Sequence, residues 1–314
     1  MGLLFCLTDD IIVIMDLKYD WENDIEPYLG LIQDVKGGFT AAKRGVIELE
    51  NGDKIFVKIS TDEKTHNWLK KEIKVYKKLH AVNYKYAAKL LSHSKNHHGM
   101  AIEYLENASF DNVWDQDKIN AVMLARDELQ NYKDLFTGDI DFKSDDIEKA
   151  EDIWNRILIP GNLDIINYKL AKLGFDLDFT SNQIVGFKTL HDDWLIEENC
   201  LVHQDIRADN FGYDQVAKTG KLIDWNWLSI SDNSLDITPL FINMHISGLD
   251  PYKMHPEKYD EKMIVYLIGF WMDCILYGDE DSSPREWSSR VAQAKNLEVC
   301  LELLNMQSDT AQIL

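Results

Sequence analysis

The sequence predicts an α+β chain of two lobes, a small antiparallel-sheet N-lobe followed by a larger, mainly helical C-lobe. Three observations carry this. Short runs of alternating apolar residues crowd the first hundred positions, with a tight hairpin signal among them. Past residue 105 the apolar spacing becomes mainly helical. A length of 314 residues, 45% of them hydrophobic, is enough for one large bilobal unit or two domains. The expected division is residues 1–105 for the N-lobe, a sheet plus one helix, and 106–314 for the C-lobe.

Residues 31–59 read as three strands. Leu31–Val35 leads into Lys36-Gly37-Gly38-Phe39-Thr40. Gly45–Glu50 alternates and stops at Asn51-Gly52, the strongest short hairpin signal, and Lys54–Ile59 alternates again. From Thr65 to His80, the apolar residues Trp68, Leu69, Ile73, Tyr76 and Leu79 recur at helical spacing. Residues 86–92 and 99–105 give two more strands, and Met100–Leu105 has the shape of the last strand and the connector between lobes. Helical stretches follow between 112 and 173. One is marked by Val122, Leu124, Leu129 and Leu135, another by Ile147, Ile153, Trp154, Ile157 and Leu158, with a break at Pro160-Gly161. A helix is expected from Val185 to Glu197, Asp236 reads as the N-cap of a helix reaching Ile246, and helices fill 257–278 and 284–306. The 264–278 run is apolar but interrupted by Asp273, which predicts a buried helix rather than a membrane span.

Lys and Arg number 33 against 54 acids, a net charge of −21. Such a chain repels nucleic-acid backbones and anionic membranes, so neither is expected as a partner, and it attracts a cationic ligand. The same charge equally suits a merely soluble surface. The acids Asp139, Asp141, Asp145, Asp146, Glu148, Glu151 and Asp152 cluster in the C-lobe, where they would suit an amine-bearing substrate or form a solvated face. Cys6, Cys200, Cys274 and Cys300 have the spacing of neither a zinc site nor a disulfide framework, which reads as reduced thiols in a cytoplasmic protein. Met1–Met15 lacks a basic start and a small-residue cleavage site, so it is a poor signal peptide.

The chemistry concentrates in Leu201–Asn210 and Lys221–Trp227. His203 and Asp205 stand two apart, Asn210 sits five beyond Asp205, and Asp224 follows a short apolar strand. The order H-x-D-x-x-x-x-N, then Asp, matches the catalytic and metal loops of kinases. Phosphoryl transfer needs a carboxylate to orient the acceptor hydroxyl and take its proton, and oxygen ligands to hold magnesium against the phosphates. Asp205 is the candidate base, and Asn210 and Asp224 are the candidate metal ligands. His203 is expected to be a buried scaffold residue bonded to the loop. Lys58 ends the third strand, where a lysine can reach the α- and β-phosphates. Glu72, fourteen residues on, is its candidate partner and Glu63 the runner-up. Gly37 and Gly38 would let backbone N–H groups approach phosphate, though the G-x-G-x-x-G pattern is absent and a plain hairpin tip gives the same sequence. Backbone groups around Glu103, Tyr104 and Leu105 would meet an adenine edge.

His203-Gln204-Asp205-Ile206-Arg207-Ala208-Asp209-Asn210, with Ile223-Asp224-Trp225, resembles the aminoglycoside phosphotransferase and choline kinase superfamily. The resemblance spans roughly residues 30–280, with specificity in the two loops alone. It implies a protein-kinase-like fold, transfer to hydroxyls of small molecules, and ATP or GTP with magnesium as cofactors. It also implies Asp205 as catalytic Asp, Asn210 and Asp224 as metal ligands, and Lys58 as nucleotide lysine. Gln204 departs from the Gly or Asn of these enzymes and from the Arg of protein kinases, and Asp224-Trp225-Asn226 departs from Asp-Phe-Gly. The expected function is a small-molecule kinase with a cationic hydroxyl acceptor. The alternatives are a nucleotide-binding scaffold without activity and, after it, a protein kinase.

Overall fold

The computed structural model describes residues 7–8, 11–12, 30–35, 41–49, 51–144, 146–192, 194, 197–278 and 284–311. Gly37 and Gly38 lie outside the described residues. In chain order the strands and helices are β1 (Leu7–Thr8), β2 (Ile11–Ile12), β3 (Gln33–Asp34), β4 (Lys43–Glu48), β5 (Lys54–Ile59), α1 (Glu63–Ala81), β6 (Leu90–His93), β7 (Gly99–Glu103), β8 (Ala108–Ser109) and α2 (Gln116–Leu129). Then come α3 (Asp146–Ile157), α4 (Asn162–Lys172), α5 (Ser181–Asp192), β9 (Cys200–Val202), β10 (Phe211–Asp214), β11 (Thr219–Leu222), β12 (Ser229–Ser231), α6 (Ser234–Ile246), α7 (Pro251–Met254), α8 (Glu261–Tyr277) and α9 (Pro284–Ala311).

The chain packs as two compact units, Met1–Phe142 with His203–Ser229, and Lys143–Val202 with Ile230–Leu314. The 105/106 division read from the sequence falls inside the first unit. There β8 pairs with β10, and α2 packs on β11.

The first unit is built on a five-stranded sheet of order β3-β4-β5-β7-β6, antiparallel throughout. The β4–β5 hairpin turns where Asn51-Gly52 predicts. Gly52 has φ +87°, its N–H donates to the Leu49 carbonyl at 2.9 Å, and Asn51 Oδ1 accepts the Asp53 N–H at 3.0 Å. Ile55, Val57 and Ile59 alternate onto one face and pack with Ile47, Leu91 and Ala101. Helix α1 starts with a reciprocal capping box: the Thr65 N–H donates to Asp62 Oδ1 at 2.7 Å and the Asp62 N–H to Thr65 Oγ1 at 3.1 Å. Its buried stripe runs Leu69, Glu72, Ile73, Tyr76, Leu79, so a glutamate occupies a core position at helical spacing. A second sheet, β11-β10-β8, carries the loops of interest. Gly220 is required there, because a Cβ would stand 2.2 Å from the Phe211 ring across the hairpin.

In the second unit α8 is buried on nearly every face and is packed by α3, α4, α5 and α9. Arg156 on α3 grips Asp273 of α8 with two hydrogen bonds, at 2.8 and 2.9 Å. That explains an acid in so apolar a helix. No described helix is long and apolar enough to cross a membrane. Helix α6 begins at Ser234, two residues before the expected cap. Asp232 receives the Ser234 N–H at 2.8 Å, while Asp236 lies inside the helix, fully buried.

Candidate active site

The hairpin β10–β11 brings the two sequence motifs together. Asn210 precedes β10 and Ile223 follows β11, and the Ile223 N–H donates to the Asn210 carbonyl at 3.0 Å. The Asn210 backbone is thereby tied to the residue before Asp224, although Asn210 and Asp224 are fourteen residues apart. Both amide hydrogens of Asn210 go to Asp205, at 2.9 Å to its carbonyl and 2.7 Å to Oδ2. Asn210 is buried, so these bonds fix the rotamer of Asp205 and leave the Asn210 amide oxygen outside both.

His203 is fully buried and anchors the loop. Nε2 bonds the Ile223 carbonyl at 3.0 Å and Nδ1 accepts the Asp205 N–H at 3.3 Å, which sets the neutral tautomer protonated on Nε2. Burial pulls its pKa down to about 4. Its ring packs 4.6 Å from that of Trp225, which also meets Tyr76 and Tyr84 edge-on. His203 is therefore scaffold, as its sequence position suggests.

Lys58 joins the loops to the sheet and helix. Its Nζ stands 2.7 Å from Glu72 Oε2 and 2.6 Å from Asp224 Oδ1, with the Lys58 and Glu72 side chains only 9% and 2% exposed. Glu72 is thus the partner, and Glu63 is an exposed first-turn residue. Burial works against the Lys58 charge, but Asp224 and Glu72 overcome it and hold the pKa above the ordinary lysine value. Burial also raises Glu72, Lys58 opposes that, and Asp224 adds to it. Asp224 too is pushed up by burial, yet Lys58, Arg44 and His203 together bring it below the usual carboxylate range.

Asp205 is different. Burial lifts its pKa to about 7, against the pull of Arg207, with Asp224 and Asp209 adding repulsion. Arg207 Nε lies 3.0 Å from Asp205 Oδ1 and 3.0 Å from Asp209 Oδ1. The sequence reading missed this pairing, although a cation two residues after the candidate base was in view. It also missed Asn226, whose amide, with its nitrogen turned to Asp224, donates to Oδ1 at 3.0 Å and to the carbonyl at 3.1 Å. Two loop residues sit in the left-handed region, Gln204 at φ +66° and Asp224 at φ +66°. Such strain persists only where the surroundings enforce it. Gln204 is held by a 2.6 Å bond from Nε2 to Ser229 Oγ, and Asp224 by Lys58 and Asn226.

Glu103 ends β7, and Tyr104 and Leu105 follow it. The Glu103 side chain is structural, accepting the Lys89 N–H at 2.7 Å and pairing with Lys221. The Glu103 N–H bonds the Lys89 carbonyl at 2.9 Å, and the Tyr104 and Leu105 carbonyls close turns to Glu106 and Ala108 at 3.1 Å each. Of the acidic cluster, Asp139 and Asp141 are engaged by Lys74 at 2.8 and 2.6 Å. Asp152 lies 3.9 Å from Arg156, and the side chains of 145, 146 and 148 are outside the described residues.

The donors fit magnesium. The Asn210 amide oxygen and the Asp224 carboxylate are hard oxygens, of the kind that hold this ion with one or two protein contacts while water and phosphate complete its shell. Among the described residues no three His, Cys, Asp or Glu side chains cluster as a closed protein cage.

No protein-family model matches the chain, and no curated protein matches it by sequence. Solved structures do match. A choline kinase from Streptococcus pneumoniae shares 17% identity at a TM-score of 0.57, over 87% of this chain and 97% of that one. A choline/ethanolamine kinase family protein from Mesorhizobium loti shares 13% identity at 0.52, over 87% and 93%. An ADP-bound aminoglycoside phosphotransferase shares 15% identity at 0.51, over 88% and 98%. The fold of this chain is therefore the protein-kinase-like fold of choline kinases and aminoglycoside phosphotransferases.

Proposed function

We propose that this protein is a small-molecule kinase that transfers the γ-phosphate of ATP or GTP to a hydroxyl of a cationic acceptor. The observation that carries this reading is the connected set Asp205–Asn210 and Asp224–Lys58–Glu72, joined through the Ile223–Asn210 backbone bond. A scaffold protein has no need of a base, two oxygen ligands and a doubly paired buried lysine in one place.

Asp205 accepts the acceptor's hydroxyl proton. A carboxyl titrating near neutrality suits that task, since a base works best with a pKa near the working pH. Asn210 holds the Asp205 rotamer, and Arg207 moderates its charge. Lys58, braced by Glu72, steadies the α- and β-phosphates, and the 103–105 backbone meets the base. Asn210 and Asp224 would hold magnesium, which neutralises phosphate charge. Most of the rate enhancement then comes from positioning and charge complementarity. The cationic acceptor is supported by the net charge of −21 and by neighbours named for choline and aminoglycosides.

The test is ADP release with a panel of amino alcohols, aminoglycosides and neutral sugars, run for the wild type and Asp205→Asn. The expected result is turnover with an amine-bearing alcohol that Asp205→Asn lowers by about 10²–10⁴ while nucleotide still binds. Unchanged turnover in Asp205→Asn rules out the assignment, and phosphate appearing only in protein substrates would favour the protein-kinase alternative.

A further inference from the structure

The charge of this chain is distributed unevenly. Residues 64–98 hold nine lysines and five of the nine histidines, against a single acid, Glu72. That acid is buried and paired with Lys58. The remainder of the chain carries 24 Lys and Arg against 53 acids. A cationic segment on so acidic a chain marks a place for an anion.

Within the segment the structure gathers one cluster. Helix α1 presents His66, Lys70, Ile73 and Lys77 at i, i+4, i+7 and i+11, a single stripe. Ile73 is buried, and Lys70 and Lys77 are exposed to either side of it. The β6–β7 turn brings His93, His97 and His98. The His66 and His98 rings lie 4.0 Å apart, tilted by 32°, and those of His93 and His97 stack at 5.3 Å with 8° between planes. The turn is rigid. The Gly99 N–H bonds Ser94 Oγ at 2.9 Å, the Ser60 N–H bonds the His98 carbonyl at 2.9 Å, and His97 is held at φ +58°. Ser60 Oγ lies 2.9 Å from His98 Nδ1.

Lys70 and Lys77 make no ion pair among the described residues, whereas Lys74 and Lys78 of the same helix hold Asp139, and Lys64 lies over Trp68. Of the two acids of α1, Glu72 is turned to Lys58, and Glu63 stands in the exposed first turn three residues before His66. The basic groups gathered there are His66, Lys70 and Lys77 from α1, and His93, Lys95, His97 and His98 from the turn. His66 feels burial, then His98 and Lys70, all lowering its pKa. His97 feels burial, then His93, Lys77, Lys70 and His66, with the same sign. Burial first, and then these neighbouring imidazoles and lysines, keep His66 and His97 from charging. A bound dianion reverses that repulsion.

We propose that His66, His93, His97 and His98, with Lys70 and Lys77, form a binding site for a doubly charged oxyanion of the phosphate class, taken up together with protons. The imidazoles and ammonium groups supply only donors once protonated, and the anion supplies only acceptors. Binding therefore strengthens as pH falls, by up to about tenfold per pH unit for each proton taken up. The site is independent of the kinase reading, since it shares no residue with it.

The test is NMR of the imidazole rings of the full-length protein during sulfate titration at about pH 6 and about pH 8, the span in which imidazoles change charge. Chloride keeps the ionic strength constant. Sulfate stays doubly charged throughout, so the pH dependence reports the protein's own protons. The expected result is a saturable shift of the His66, His93, His97 and His98 resonances, at least tenfold tighter near pH 6, and weakened by about tenfold in Lys70→Gln/Lys77→Gln. That variant should melt at the wild-type temperature, because both lysines are exposed. Phosphate and glycerol phosphate form further arms: equal affinity supports a free ion as the ligand, and a tighter ester supports a phosphorylated molecule. Rings that do not respond to sulfate near pH 6, or a response that the lysine substitutions leave unchanged, overturn the proposal.

Discussion

Lys58→Met is the sharpest probe of the buried ion triad. In the native chain Nζ stands under 3 Å from two carboxylates that repel each other, and all three groups are largely removed from water. At an effective dielectric of about 20, charges this close attract by roughly 5 kcal/mol per pair before the opposing desolvation is counted. Methionine fills similar volume but leaves Glu72 and Asp224 facing each other uncompensated. Stranding a buried charge costs about 3–5 kcal/mol, and that is the expected loss near pH 8 in urea denaturation. The deficit must shrink in acid. Without Lys58 the folded-state pKa of Glu72 rises further above its unfolded value, so the folded variant binds a proton where the unfolded chain does not. Stability is then recovered as pH falls, by up to about 1.4 kcal/mol per pH unit. A variant as stable as the wild type near pH 8, or an equal deficit near pH 8 and pH 5.5, would refute the argument.

Glu72→Gln keeps a bond to Lys58 and removes a carboxylate that burial and Asp224 both oppose. Its melting temperature should hold or rise while turnover drops by about 10²-fold through a misplaced lysine, and a clear loss of stability would count against this account. Arg207→Met removes the cation that lowers the Asp205 pKa, so the acid limb of the kcat/KM profile should move about one unit or more to higher pH; an unmoved limb means the ion pair has no part in the reaction. His203 titrates at about 4 when folded against 6.5 in the open chain. The unfolded chain thus gains a proton first as pH falls, and about 3 kcal/mol of stability is lost between pH 6.5 and 4. Chemical denaturation of His203→Gln should show that part of the acid slope missing.

Much of this was legible because it is local. The β5 strand, the Asn51-Gly52 turn and α1 follow from alternation, turn chemistry and helical spacing, and the Lys58–Glu72 pairing follows from the kinase pattern of a strand lysine matched to a glutamate on the next helix. What escaped was the part decided by neighbours distant in sequence. Arg207 was in plain view, but its ion pairs with Asp205 and Asp209 form in a loop whose Gln204 is held by Ser229, twenty-five residues on. Asp236 has the composition of a cap, yet Asp232 satisfies the helix start two residues earlier. Residues 86–89 read as the opening of a strand but instead run alongside β11, where Leu222 bonds Tyr86 and Ala88. The acids at 139 and 141 read equally as a solvated face or an amine-binding surface, and Lys74 of α1 engages both.

The left-handed backbone of Asp224 bears on how this position should be interrogated. Alanine there would remove the carboxylate and also place a side chain with no polar compensation in a conformation it disfavours by about 1 kcal/mol or more. A collapse of activity in that variant would confuse lost chemistry with a distorted chain. Asparagine tolerates the same dihedral angles and discards only the charge, so it is the substitution whose result can be interpreted.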